Sequence, residues 1–352
     1  MQFMGYRRAD GRVGVRNYVL ILPGCACASE TCRLVASEVR GTKNVIMNVG
    51  CSDVQANTDM NLRVLTGFAL NPNVFGVIVI GLGCETVGHR ELAAKIRAET
   101  SKPVVSFGIQ EIGGTVATTA AAVKAAREMV AQASEQQREP CDASDLFVAI
   151  ECGGSDATSG IASNPAVGNM SDRIVDLGGT TMMSETIEFV GAEHILAKRG
   201  ATPEIHDQII RICEDYEKHL AGVGQDCRTG QPTTGNKAGG LSTIEEKSLG
   251  CIHKGGTRPV VEVLQEAARP TKKGALIMDT PGYDISSVTS MVAGGATMVV
   301  FTTGRGTPTG HALAPVIKFT GNRETAKRMA DNMDIDVSGI LEGDLTIADA
   351  GK

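Results

Sequence analysis

The chain contains no tryptophan, and its aromatic residues amount to 3% of 352 positions. It therefore lacks the stacking platforms on which single-stranded nucleic acid is held. Cationic excess is missing too: 34 Lys and Arg face 40 Asp and Glu, a formal charge of −6 that repels a polyanion. Nucleic acid is not expected as a partner. No apolar run approaches the roughly 18 residues needed to span a bilayer, so no membrane partner is expected either. The opening MQFMGYRRADGRVGVRN has no apolar core or small-residue cleavage site, which predicts a cytoplasmic protein. Neither a GxGxxG nor a GKS/T loop stands where a nucleotide would need one, and no CxxC pair has zinc-ribbon spacing.

Glycine and cysteine, by contrast, are plentiful, with 42 and 10 copies. So many glycines imply loops with positive φ or close backbone approach. Ten cysteines without an export signal imply reduced thiols available to metal or chemistry. Apolar, β-branched runs end in small residues at YVLILPGCAC, NVIMNVGCSD, FGVIVIGLGCE and LFVAIECGGSD, with helical patterns between them. This rhythm predicts an α/β protein with two doubly wound parallel-sheet domains, residues 1–140 and 146–352, and an active site at strand C-terminal ends between them. EQQREPCDAS is read as the boundary. The polar stretch 222–256 is read as a long active-site loop.

Four cysteines, Cys27, Cys51, Cys84 and Cys152, fall at strand tips, where ligands of parallel sheets bind. Cysteine is also a small hydrophobe, so any one of them could simply pack. Four in equivalent places point to iron, either ferrous or in an iron–sulfur cluster. A mononuclear iron would add Glu or His. Cys25, Cys32, Cys141, Cys213 and Cys227 are read as structural.

The strings GRVGVRN, GLGCE, ECGGSDATSGIASNPAVG, SETIEFVGAEHIL, GNKAGGLSTIEEKSLGC, KGGTRP, PGYD and TTGRGTPTG, in this order, resemble the altronate and galactarate dehydratase family. The resemblance implies an iron-dependent lyase acting on a small anionic hydroxy acid to give a 2-keto acid. It further implies a small partner subunit and an oligomer, and it places Cys27, Cys51, Cys84, Cys152 and Cys251 on family motifs. PGCACASETC and GCSD look closer to the large subunit of the branch that eliminates sulfite from (2R)-sulfolactate. A sugar-acid dehydratase and a non-catalytic metal-binding scaffold are the alternatives.

Elimination starts with removal of the proton α to a carboxylate, for which His253, Lys254, Glu185 and Glu188 are the candidate bases, with His311 behind them. Glu185 and Glu188, three apart, would share a helical face that Ser184 caps. Glu151 and Glu85, each beside a tip cysteine, could ligate metal or orient a ligand. Arg258 and Arg305 are the expected anion-binding forks, helped by Asn236 and Lys237 and by a backbone nest in TTGRGTPTG. Ser155 and Asp156 are read either as substrate partners or as a helix cap.

Overall fold

Unbroken runs of Val, Ile and Leu suit strands buried on both faces. The computed structural model, which describes residues 1–352, forms two parallel sheets from such runs. In chain order the strands are β1 (Gln2–Arg7), β2 (Val13–Gly14), β3 (Tyr18–Pro23), β4 (Thr42–Asn44), β5 (Val74–Gly81), β6 (Val104–Gly108) and β7 (Glu139–Asp142). They continue with β8 (Phe147–Cys152), β9 (Thr180–Met183), β10 (Val260–Leu264), β11 (Ala275–Met278), β12 (Met298–Thr302), β13 (Val316–Thr320) and β14 (Ile335–Asp336). The first sheet has the order β4-β3-β5-β6 and the second β10-β11-β9-β8-β12-β13-β14, both wholly parallel. Each is an α/β unit, as the sequence rhythm implies.

The segment read as a boundary forms β7, which returns to pair antiparallel with β1. NVIMNVGCSD is only marginally a strand: β4 stops at Asn44, and Ile46 is 74% exposed. As an edge strand β4 pairs with β3 over three residues, and the chain then leaves to carry the Cys51 loop. Residues 222–256 are not a loop. Short helices occupy Cys227–Gly230, Thr234–Ala238 and Ile244–Cys251, followed by a 3-10 turn at Ile252–Gly255. The polar residues that read as loop are their caps: the side chains of Asp226, Thr233 and Thr243 accept from the N–H groups of Arg228, Asn236 and Glu246.

The two units share a core. The helix Gln55–Leu70 contributes Leu65 and Phe68, and the helix Asp284–Ala293 contributes Val288, Met291 and Val292. Gly67 permits this approach, because a Cβ there would stand 2.4 Å from the carbonyl oxygen of Ala293. Two buried amides seal the seam. Asn71 Nδ2 donates to the carbonyls of Val292 and Ala296 at 2.8 and 2.9 Å, and Asn73 Nδ2 to those of Thr297 and Leu313, both at 2.8 Å. Asn73 Oδ1 also accepts from the N–H of Val15 and of Arg16. Asn73→Ala would leave these groups without partners, at about 1–3 kcal/mol for each one that stays buried. Urea unfolding should show a loss of at least about 2 kcal/mol; an unchanged midpoint would remove the seam from the stability argument.

Candidate active site

In the second sheet the chain turns outward in opposite directions from β8 and β12, which makes the gap between their carboxyl ends the switch point where ligands bind. Cys152 ends β8 there. Cys251 reaches the same place from the last turn of Ile244–Cys251, and Glu188 from a 3-10 turn after β9. Cys251 Sγ lies 4.0 Å from Cys152 Sγ and 3.3 Å from Glu188 Oε1, and all three residues are buried. Ser155 Oγ is 3.0 Å from Cys152 Sγ. Lys254 Nζ bonds Glu188 Oε2, and Lys247 Nζ lies 3.7 Å from Oε1. Two ammoniums therefore serve one carboxylate.

The charges follow from these contacts. The thiol of Cys251 holds Cys152 down, to about 7, against the effect of burial. Cys251, donating to Cys152 and buried, is pushed well up. Burial alone would raise Glu188, but Lys254 and Lys247 keep it below the usual carboxylate range. Lys254 is correspondingly held as an ammonium despite its burial, chiefly by Glu188.

Beside this group a second one forms. Glu151, Glu185 and Asp284 each offer a carboxylate oxygen within 4.8 Å of the others. Ser287 donates to Glu151 Oε2 and exchanges a bond with Ser184. Burial pushes the Glu151 carboxyl up to about 8. Metal-free folded protein thus keeps a proton that the unfolded chain releases in the ordinary carboxylate range. Its stabilising contribution is complete below that range and is lost as pH rises through about 8. Urea midpoints between pH 5 and 7 should fall with pH in chelated protein, and Glu151→Gln should flatten that fall; an equal slope in both proteins would refute the assignment.

Several sequence expectations are corrected by these positions. Only Cys152 of the four tips joins a compact donor group. Cys27, Cys51 and Cys84 are exposed on the first sheet, and they are absent from the groups whose ligand atoms lie within 4.8 Å of one another. The tips belong to two different sheets, which sequence spacing does not reveal. Glu185 and Glu188 do not share a helical face: Glu185 has φ 66° and turns to the carboxylates, Glu188 to the thiols. Ser184 makes no cap and bonds Ser287 instead. Lys254, expected as a base, is buried and bonded to Glu188, a contact that favours its ammonium form. His311 packs at a tilt against Phe68 and is pushed down to about 4 by burial, while its Nδ1 accepts from Leu313 N–H. Glu85 accepts from Gly83 and His89 N–H groups, holding its own loop and the start of the next helix.

The anion donors are largely committed elsewhere. Arg258 forks onto Asp176 and lies near Asp172. Asn236 completes the capping box with Thr233 and donates to Ser155 O. The nest reading of TTGRGTPTG fails because the N–H groups of Gly304 and Arg305 both donate to Gly154 O and that of Gly306 to Thr303 Oγ1. The side chains of Arg305 and Lys237 are exposed. Asp156 caps its own turn through Thr158 and Ser159 and also accepts from Asn322. His253 remains available. It is exposed on a cleft of about 250 Å³ whose walls include Ser155, Asn164, Lys247 and Cys251.

Comparison with known proteins decides the lineage. The D-galactarate dehydratase/altronate hydrolase second domain matches residues 5–134, and the D-galactarate/altronate dehydratase C-terminal domain matches residues 143–352. The chain belongs to the galactarate/altronate dehydratase family. Relatives of this family member include the (2R)-sulfolactate sulfo-lyase subunit beta of Chromohalobacter salexigens, 40% identical over 99% of this chain and 89% of that one. Galactarate dehydratase (L-threo-forming) of Escherichia coli is 37% identical over 99% of this chain and 70% of its own length. Altronate dehydratase of Bacillus subtilis is 33% identical over 97% and 70%. The family is thus one of lyases.

Sequence reasoning about this family member missed Lys247 and Asp284. Lys247 stood four residues before Cys251, one helical turn away on the same face, which is a readable signal. Asp284 opens a helix in PGYD and gave none. No helix is long and apolar enough to cross a membrane.

Proposed function

We propose that the chain is the large subunit of a cytoplasmic lyase that converts (2R)-3-sulfolactate to pyruvate and sulfite, working with a small partner subunit in an oligomer. The observation that supports this most is the His253 cleft, whose wall includes Cys251 of the buried Cys152, Glu188 and Cys251 group, together with the 40% identity to a sulfo-lyase subunit beta.

Two sulfurs and a carboxylate with ligand atoms within 4.8 Å suit iron, so Cys152, Cys251 and Glu188 are the residues that would hold it. Bound iron supplies Lewis acidity that favours the enolate form of a 2-hydroxy acid. Holding a metal there requires the raised thiol of Cys251 to lose its proton, so loading should release protons to the medium.

The remaining roles belong to the chain. His253 takes the C2 proton of the hydroxy acid. The C2–H electron pair forms the C2–C3 double bond as the C3–S bond breaks, and sulfite departs with that bond's electrons. The enol then tautomerises to pyruvate. Lys247, 10% exposed on the cleft wall, places a cation beside the anionic substrate, and Lys254 keeps Glu188 ionised and oriented. Arg305 and Lys237 are exposed cations for a substrate arriving at the rim.

A sugar-acid dehydratase is the second reading. It is favoured by the engagement of Arg258 with Asp176, which removes one expected sulfonate fork. Incubating the reduced, iron-loaded complex with sulfolactate, altronate and galactarate separates the two. Sulfite with pyruvate from sulfolactate is the expected result; a 2-keto-3-deoxy acid from either sugar acid, without sulfite, overturns it.

A further inference from the structure

Glu151, Glu185 and Asp284 meet with no cation among them. None of the ion pairs of the protein includes any of the three, and the two neighbouring lysines both direct their nitrogens at Glu188. Three carboxylates whose oxygens lie within 4.8 Å of one another repel when ionised, so a cation among them would take the place of the proton that Glu151 otherwise keeps. Hydrogen bonding does not suffice. Glu151 is served by Ser287 and by the N–H of Cys152, but Glu185 Oε1 is buried without any partner, in a residue that is 3% exposed. Buried polar atoms are otherwise almost always satisfied.

The backbone is shaped to bring these groups together. Glu185 occupies the left-handed region at φ 66°, a conformation that costs a residue with a side chain about 1–3 kcal/mol and concentrates at ligand sites. Gly153, just after β8, leaves the room in which Asp284 sits: a Cβ there would stand 2.0 Å from Asp284 Oδ2. Asp284 itself is partly exposed and adjoins Tyr283, which is 59% exposed, so the trio has a solvent side.

We infer that Glu151, Glu185 and Asp284 form a binding site for a hard divalent cation of the Mg²⁺ or Mn²⁺ class, separate from the sulfur-bearing group of Cys152, Glu188 and Cys251. Oxygen-only donors select such ions, which keep several waters and need few carboxylates. The ion would supply the partner that Glu185 Oε1 lacks. Its solvent-side positions, next to Asp284, are open to water or to an oxygen of a carboxylate ligand. The inference does not depend on which group leaves the substrate.

Chelator-treated full-length chain, free of iron, should be titrated with Mn²⁺ and the free-ion electron paramagnetic resonance signal followed. One Mn²⁺ per chain is expected to bind. Glu185→Gln should weaken binding by about tenfold or more, and Gly153→Ala should do likewise while keeping all three carboxylates, by forcing Asp284 aside. Cys251→Ser should bind Mn²⁺ as wild type does. Thermal melts check each fold, and if Glu185→Gln fails to fold, Gly153→Ala and Asp284→Asn decide. Wild-type protein that binds no Mn²⁺, carboxylate-site variants that bind it undiminished, or a loss confined to Cys251→Ser would each overturn the site. Keto acid and sulfite assays report separately, so Mn²⁺ binding by a chain inert toward all three substrates would sink the substrate assignment alone.

Discussion

Lys254→Met should abolish turnover and lower the unfolding free energy by about 3–5 kcal/mol, the range found when one member of a buried ion pair is removed. Lys254 is 0% exposed and Glu188 1%, so no solvent reaches the carboxylate left behind. Lys247, at 3.7 Å, offsets only part of the loss. Adding Glu188→Leu to Lys254→Met should restore most of the stability, because two apolar residues need no charge partner, yet activity should stay absent. Denaturant unfolding of the single and double variants tests this. A single variant as stable as wild type would show that Glu188 is neutral when buried, contrary to the charges assigned above.

His253→Gln should reduce kcat by about 10²–10⁴-fold, the usual contribution of a positioned proton acceptor, and leave the thermal midpoint in place. His253 is exposed and makes no side-chain hydrogen bond that the fold needs, so stability and chemistry separate cleanly at this residue. Hydrogen exchange at C2 of the hydroxy acid, followed in D₂O, should vanish with it. Retained exchange with slowed product release would place the base elsewhere.

Much of this was legible in the sequence because a parallel strand buried on both faces is an unbroken β-branched run. β3, β5, β8, β11 and β12 stand where such runs stand, and the tips Glu151 and Cys152 follow directly. What spacing cannot carry is which tips share a sheet. Cys27, Cys51 and Cys84 looked equivalent to Cys152, yet they crown the first sheet, while the true neighbour of Cys152 arrives from a helix in a stretch that read as loop. Charged residues were the other blind spot. Arg258 among glycines looked free to bind an anion, and only the fold brings Asp176 within 2.6 Å of it. Asn236 and Asp156 likewise looked like ligand donors because the residues that cap turns and the residues that bind ligands are the same polar types.

The helix Asp284–Ala293 serves both the shared core and the carboxylate group. Its inner residues Val288, Met291 and Val292 lie in the core completed by Leu65 and Phe68, while its first turn supplies Asp284 and Ser287 to the carboxylate group. One helix is thus shared between the seam and the carboxylate group. A chimaera that exchanges residues 1–140 for those of a distant relative would have to exchange the seam-facing side of this helix as well. Recombination among such enzymes should therefore leave the two units inherited together, with substrate range diversifying through the turns around the His253 cleft rather than by shuffling whole domains.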